Sequence, residues 1–310
     1  MKTRSNWRKP GGKKTHKRRG SMMNTHVQVA KDSIPSKDGD RTFYYTLPES
    51  EGEPVPLVFC FHGAGSSAKY HMSMTNFHEL AAKAKACFVF PEAVQVDPDD
   101  PMSKQFNEGR RKNKSFQNEI DDAGFVLRLI DYFRSLSHID ETRIFLSGFS
   151  NGSAFAMKLA IENPDLFAAV GGVSGPVVKE VAAKVEWSKP MPLIFFMGED
   201  DRVVPYDGVD ASHYMIDQLL SAKGTAQAFA CSLPAPMEEK IQKDGKVTQH
   251  IYQSGDEGAE VIFYSIEGSG HTWPGGSLKQ ESQLFGKVSQ ELDAAGLMWS
   301  FFEKMTKEEH

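Results

Sequence analysis

Short apolar runs recur along the chain, each closed by glycines or polar residues. The clearest are Pro56-Leu57-Val58-Phe59-Cys60-Phe61, Arg143-Ile144-Phe145-Leu146-Ser147, Pro192-Leu193-Ile194-Phe195-Phe196-Met197 and Val261-Ile262-Phe263-Tyr264-Ser265-Ile266. Runs of this length, without strict alternation, predict strands of a parallel sheet buried on both faces. Strands are expected near 41–47, 55–61, 86–91, 142–147, 168–173, 192–197, 248–253 and 260–266. Helices are expected near 75–84, 118–136, 151–162, 209–222 and 287–304. Alternation of the two kinds predicts an α/β fold, a mostly parallel central sheet with helices on both faces.

Two polar stretches interrupt the pattern. Residues 92–117 carry Asp97-Pro98-Asp99-Asp100-Pro101 and Gly109-Arg110-Arg111-Lys112-Asn113-Lys114. A loop so long inside a domain is either functional, as a lid or substrate contact at the site's rim, or solvated surface. Residues 232–247, with the turn signal Lys243-Asp244-Gly245-Lys246, read as an irregular surface excursion.

Composition fits one domain. With 310 residues, 40% of them hydrophobic, the chain can bury a single large core. The N-terminal residues 1–24 stand apart as a basic tail, expected to be disordered, ahead of a catalytic domain at 25–310. Positions 1–20 hold nine basic residues and no acid, leaving 27 basic against 41 acidic residues in the remainder. The tail reads as inert or extraneous, Met22 and Met23 offering later starts, ahead of an anion-binding arm. No nucleic-acid partner is expected, and no apolar run reaches membrane-spanning length. No apolar stretch follows the basic residues as a secretory signal requires, and Cys60, Cys87 and Cys231 are too few for a disulfide framework. Both observations favour a cytoplasmic location.

The candidate chemistry lies on the loops that follow the strands. Gly148-Phe149-Ser150-Asn151-Gly152 joins a strand to the helix-prone stretch after it, the setting of a nucleophile elbow. Further along come Gly198-Glu199-Asp200-Asp201 and Gly268-Ser269-Gly270-His271-Thr272-Trp273. Serine, acid and histidine in that chain order match the α/β-hydrolases rather than chymotrypsin- or subtilisin-like enzymes. A serine hydroxyl is a poor nucleophile until an imidazole takes its proton, and a carboxylate fixes that imidazole's tautomer. Ser150 and His271 are the expected nucleophile and base, with Asp201 as the acid and Asp200 as runner-up. His62-Gly63-Ala64-Gly65 follows an early strand, where this fold places one oxyanion donor. The expected donors are the amides of Ala64 and Asn151, with His62, Gly63 and Trp273 bordering the substrate. His62 is expected to order the loop rather than react, and Trp273 to wall the pocket. Asp121 and Asp122 are expected to cap or brace their helix. His71 and His78 lie two helical turns apart with no third ligand beside them, so no metal site is expected.

These motifs carry a family resemblance. Ser150 to Gly152, Asp201-Arg202-Val203-Val204-Pro205-Tyr206 and Gly270-His271-Thr272-Trp273-Pro274-Gly275-Gly276 resemble the polyhydroxybutyrate depolymerase/feruloyl esterase group of α/β-hydrolases. Asp121-Asp122-Ala123-Gly124-Phe125-Val126, Asn163-Pro164-Asp165-Leu166-Phe167 and Ala295-Gly296-Leu297-Met298-Trp299 extend the likeness over about residues 40–304. The resemblance implies ester hydrolysis through an acyl-enzyme, without metal or organic cofactor, on short aliphatic, feruloyl, acetyl or hydroxyalkanoate esters, free or oligomeric. Members of the group are often secreted. Two other readings compete: a serine peptidase using the same triad, and a non-enzymatic anion-binding protein using the basic tail.

Overall fold

Every residue of Val55–Phe61 and of Leu193–Gly198 is buried, because both faces of these strands are covered. Side chains alternate across a strand, so Leu57, Phe59 and Phe61 enter one core layer while Val58 and Cys60 enter the other. The computed structural model describes residues 28–48, 52–210, 217–235, 237–254 and 260–307.

The described residues form ten strands in one sheet: β1 (Val29–Ser36), β2 (Gly39–Thr46), β3 (Val55–Phe61), β4 (Cys87–Pro91), β5 (Ile139–Phe149), β6 (Ala169–Val173), β7 (Leu193–Gly198), β8 (Glu238–Asp244), β9 (Val247–Gln253) and β10 (Glu260–Ile266). Their order is β1-β2-β4-β3-β5-β6-β7-β10-β9-β8. The stretch from β4 to β10 is parallel throughout, and an antiparallel hairpin extends each edge. The α-helices are α1 (Ala68–Thr75), α2 (Phe77–Ala84), α3 (Lys114–Gln117), α4 (Asp122–Leu136), α5 (Asn151–Glu162), α6 (Lys179–Ala182), α7 (Ala222–Ala230) and α8 (Ala294–Phe302). Helices α4, α5 and α7 cover one face, and α1, α2 and α8 the other. This is the expected α/β-hydrolase architecture. Among the described residues no helix is long and apolar enough to cross a membrane.

The differences from expectation have local causes. The helix expected near 75–84 is α2, which starts at Phe77 because Asn76 turns left-handed at φ 56°, and α1 ahead of it was not expected. The one near 118–136 starts at Asp122, because Asp121 caps it by accepting from the Gly124 amide. No helix spans 209–222 where it is described. Val209 instead pairs with Leu219, and α7 begins at Ala222 behind the Ser221 cap, with 211–216 outside the described residues. The one near 287–304 is confined to Ala294–Phe302, since 287–289 runs extended against the His271 loop. Residues 238–244 are a strand rather than an irregular excursion, and β1 was not foreseen. β8 is exposed on both faces, so no hydrophobic alternation marks it. The basic tail at 1–24 lies outside the described residues.

Candidate active site

Strand β5 delivers Ser150 at its C-terminal end and α5 starts at the next residue. Ser150 adopts φ 54°, ψ −121°, a conformation that non-glycine residues seldom occupy. Such a conformation costs on the order of 1–3 kcal/mol and persists only where the surroundings fix it. Here they do: the Ser150 amide donates to the Val173 carbonyl at 2.8 Å. The flanking glycines are required for space. A Cβ at Gly148 would strike the Gly152 carbonyl, and one at Gly152 the Phe61 carbonyl.

His271 lies past β10 and brings the three residues together. Its Nε2 is 2.9 Å from Ser150 Oγ, and its Nδ1 is 2.7 Å from Asp201 Oδ2. Asp201 Oδ1 accepts from the amides of Val203 and Val204 at 2.9 and 2.8 Å, which fixes the carboxylate's aim. Asp201 and His271 are buried, while Ser150 is half-exposed. The acid against His271 is thus Asp201, not Asp200. The Asp200 side chain is exposed, and its amide donates to the Ser269 carbonyl at 3.0 Å. Glu199 accepts from Ser265 Oγ at 2.6 Å, and Tyr206 donates to the same hydroxyl at 2.8 Å, tying β7 to β10 below the site.

The loop after β3 passes close to the serine: a Cβ on Gly63 would sit 3.4 Å from Ser150 Cβ. His62 orders this loop. Its fully buried ring faces the Gly63 carbonyl through Nδ1 at 2.8 Å, and its Nε2 accepts from the Ala93 amide at 3.1 Å. That pairing places the proton on Nδ1, and burial lowers the pKa to about 4, keeping the ring neutral. Both nitrogens are thus occupied within the protein, as the expected loop-ordering role requires. Gly63 is likewise buried, and Ala64 is half-exposed beside it. Asn151 is the first residue of α5, where helix amides lack an intrahelical acceptor.

Trp273 is a correction. Its indole is fully buried among His71, Phe77 and Phe149, at ring distances of 5.7, 5.6 and 6.5 Å. It packs beneath the histidine loop and does not wall a pocket. Phe149 is half-buried, its ring 5.0 Å from the His271 ring.

Residues 92–117 lie against the site, with Phe106 and its neighbours turned inward and Asp99, Pro101 and Arg111 exposed. The Asn151 side chain clasps the backbone of Phe106, with Oδ1 accepting from its amide at 2.8 Å and Nδ2 donating to its carbonyl at 2.9 Å. The Phe106 ring is buried against His62, Phe155 and Phe61 at 4.9, 5.1 and 5.2 Å. Next to it the Asn107 amide donates to Asp122 Oδ2 at 2.7 Å, and Arg41 Nη2 donates to Asp122 Oδ1 at 2.7 Å. Both partners of this ion pair are buried, and the guanidinium lies 4.2 Å over the Phe125 ring. Burial raises the Asp122 pKa, and Arg41 opposes that rise. Asp122 thus braces this loop as well as its helix. Sequence reasoning missed Phe106, which shares this polar stretch with a second aromatic, Phe116.

Among the described residues no three His, Cys, Asp or Glu side chains converge to hold a metal ion. The arrangement suits one chemistry, transfer of an acyl group through a serine activated by an oriented imidazole.

Comparison with known proteins agrees. The chain is 24% identical over 277 residues to the putative esterase NocK of Nocardia uniformis subsp. tsuyamanensis, covering 82% of this chain and 77% of that protein. It is 24% identical over 221 residues to feruloyl esterase B of Piromyces equi, covering 70% of this chain but only 39% of that protein. The fold matches acetyl xylan esterase from Aspergillus awamori with a TM-score of 0.52 at 12% identity, over 78% of this chain and 94% of that one. The phospholipase/carboxylesterase family pattern matches residues 46–253, a span that includes Ser150 and Asp201 and ends before His271. The chain belongs to the phospholipase/carboxylesterase family of α/β-hydrolases, enzymes that act on esters.

Proposed function

We propose that the protein hydrolyses carboxylic esters through an acyl-enzyme on Ser150. Ser150 Oγ attacks the ester carbonyl while His271 Nε2 takes its proton, and Asp201 stabilises the imidazolium that forms. The amides of Ala64 and Asn151 receive the oxyanion, each donor worth about 2.7–4 kcal/mol in a site that excludes water. His271 then protonates the leaving alkoxide, and the alcohol departs. Water repeats the sequence on the acyl-enzyme, releasing the acid and restoring Ser150. The single observation that carries this reading is the unbroken chain from Ser150 Oγ through His271 to Asp201, with contacts of 2.9 and 2.7 Å.

The substrate is a small or oligomeric ester. Support comes from relatives named for feruloyl and acetylxylan esters, both far longer than the span they share with this chain. The test is steady-state hydrolysis of p-nitrophenyl esters from acetate to laurate, together with methyl ferulate. Wild-type turnover that Ser150→Ala abolishes supports the proposal. Near-normal turnover by Ser150→Ala refutes it.

A further inference from the structure

The loop that carries His271 is backed by a turn over residues 282–286. The Gly286 amide donates to the Ser282 carbonyl at 2.9 Å, and Ser282 Oγ accepts from the Phe285 amide at 2.9 Å. The segment that follows is fastened to the histidine loop. Lys287 O accepts from the Gly270 amide at 3.0 Å and from Thr272 Oγ1 at 2.9 Å. Glu281 Oε1 accepts from the Val288 amide at 3.0 Å. Contact between the two segments is so close that a Cβ on Gly270 would strike the Phe285 carbonyl.

This fixed turn displays apolar side chains. Leu284 is 58% exposed and Phe285 is 42% exposed, although a phenyl ring gains by leaving water. The Phe285 ring lies nearly parallel to the His271 ring, at 26° and 6.1 Å between centroids. A part-exposed aromatic ring beside the base, carried on an internally hydrogen-bonded turn, has the form of a binding platform.

The reaction identifies what would lie on it. His271 hands its proton to the leaving oxygen, so the alcohol half of the ester passes beside the imidazole. On the same reading the carbonyl oxygen is received by the amides of Ala64 and Asn151. Resting on the ester-hydrolase reading above, we infer that Phe285, with Leu284, forms the alcohol-side subsite and selects esters whose alcohol carries an aromatic or flat apolar group.

The test holds the acyl group constant and varies the alcohol. Wild type should hydrolyse benzyl acetate with a higher kcat/KM than ethyl acetate, and Phe285→Ala should lower that ratio about tenfold. Phe285→Tyr, which keeps the ring, should restore most of it. The ratio for ethyl octanoate over ethyl acetate reports the acyl side and should move less than about twofold. Overturning results are a wild type without the benzyl preference, or a Phe285→Ala variant that changes both ratios alike. Ser150→Ala is run beside these variants. Hydrolysis surviving there defeats the ester-hydrolase reading itself, whereas its loss there with an unmoved benzyl ratio defeats only the subsite.

Discussion

Two loops border the candidate site, 92–117 at Asn151 and 277–289 at His271, and they bury their side chains differently. Residues 92–117 are dense in charge yet bury Ser103, Phe106, Glu108, Asn113 and Ser115. Residues 277–289 hold Leu278, Leu284 and Phe285, all of them exposed. What separates them is where the polar groups find partners. In the first loop Glu108 is met by Arg110 and Asn113, Asn107 by Asp122, and Phe106 by Asn151, so the chain can go inward. In the second, Ser282 and Glu281 accept from amides of the same segment and Lys287 O accepts from the histidine loop, while Leu278, Leu284 and Phe285 face out and Val288 is buried. A buried polar group is tolerated when it is paired, and hydropathy averaged over a loop does not see the pairing.

The largest loss comes from what both loops serve. Ser150→Ala should lower kcat by roughly 10⁴-fold or more with an unchanged thermal midpoint, and His271→Ala should do about the same, because the two act as a unit. Next is the brace of the inward loop. Asp122→Ala strands a buried Arg41, and breaking such a pair costs about 3–5 kcal/mol, read as a lowered urea midpoint. Because Asn107, next to Phe106, loses its anchor, kcat should fall more than KM rises. A variant with wild-type stability would show that Asp122 does not hold the loop.

The inward side also carries a pH dependence. Burial lowers the pKa of His62 to about 4 and of His71 to about 3, against 6.5 for a free imidazole. Below about pH 6.5 the unfolded chain takes up protons that the folded chain refuses. Stability is therefore fully present above pH 6.5 and is lost as pH falls towards 4 and 3, by on the order of a few kcal/mol in all. Urea midpoints at pH 7.5 and 4.5 check this. His71→Phe should flatten the fall, as the ring sits by Phe90 and Trp273 and its nitrogens have no described partner. The smallest effect belongs to the outward loop. Leu284→Ser should change stability by less than about 0.5 kcal/mol, since surface substitutions seldom do more.

The same contrast explains what the sequence made legible. Runs such as Val55–Phe61 and Leu193–Gly198 announced the parallel strands, because burial on both faces leaves a continuous apolar signal. The residues of the candidate site were legible because their chemistry needs fixed residue types at strand ends: Ser150, Asp201 and His271 lie together as the chain order suggested. What stayed hidden depends on three-dimensional neighbours. Trp273 looked like a pocket wall from its place beside His271, but its indole is fully buried against His71, Phe77 and Phe149. Strand β8 lacks alternation since it covers nothing, and Phe106 draws its meaning from Asn151, 45 positions away.

The central claim is that Ser150 becomes the acylated residue. A fluorophosphonate ester reacts covalently with an activated serine, so the direct measurement is intact-protein mass after labelling, followed by peptide mapping. One adduct per chain on the peptide containing Ser150, with labelling much slowed in His271→Ala, is the result expected. An adduct on another residue, or an unlabelled Ser150 in protein that turns over esters, would contradict the account.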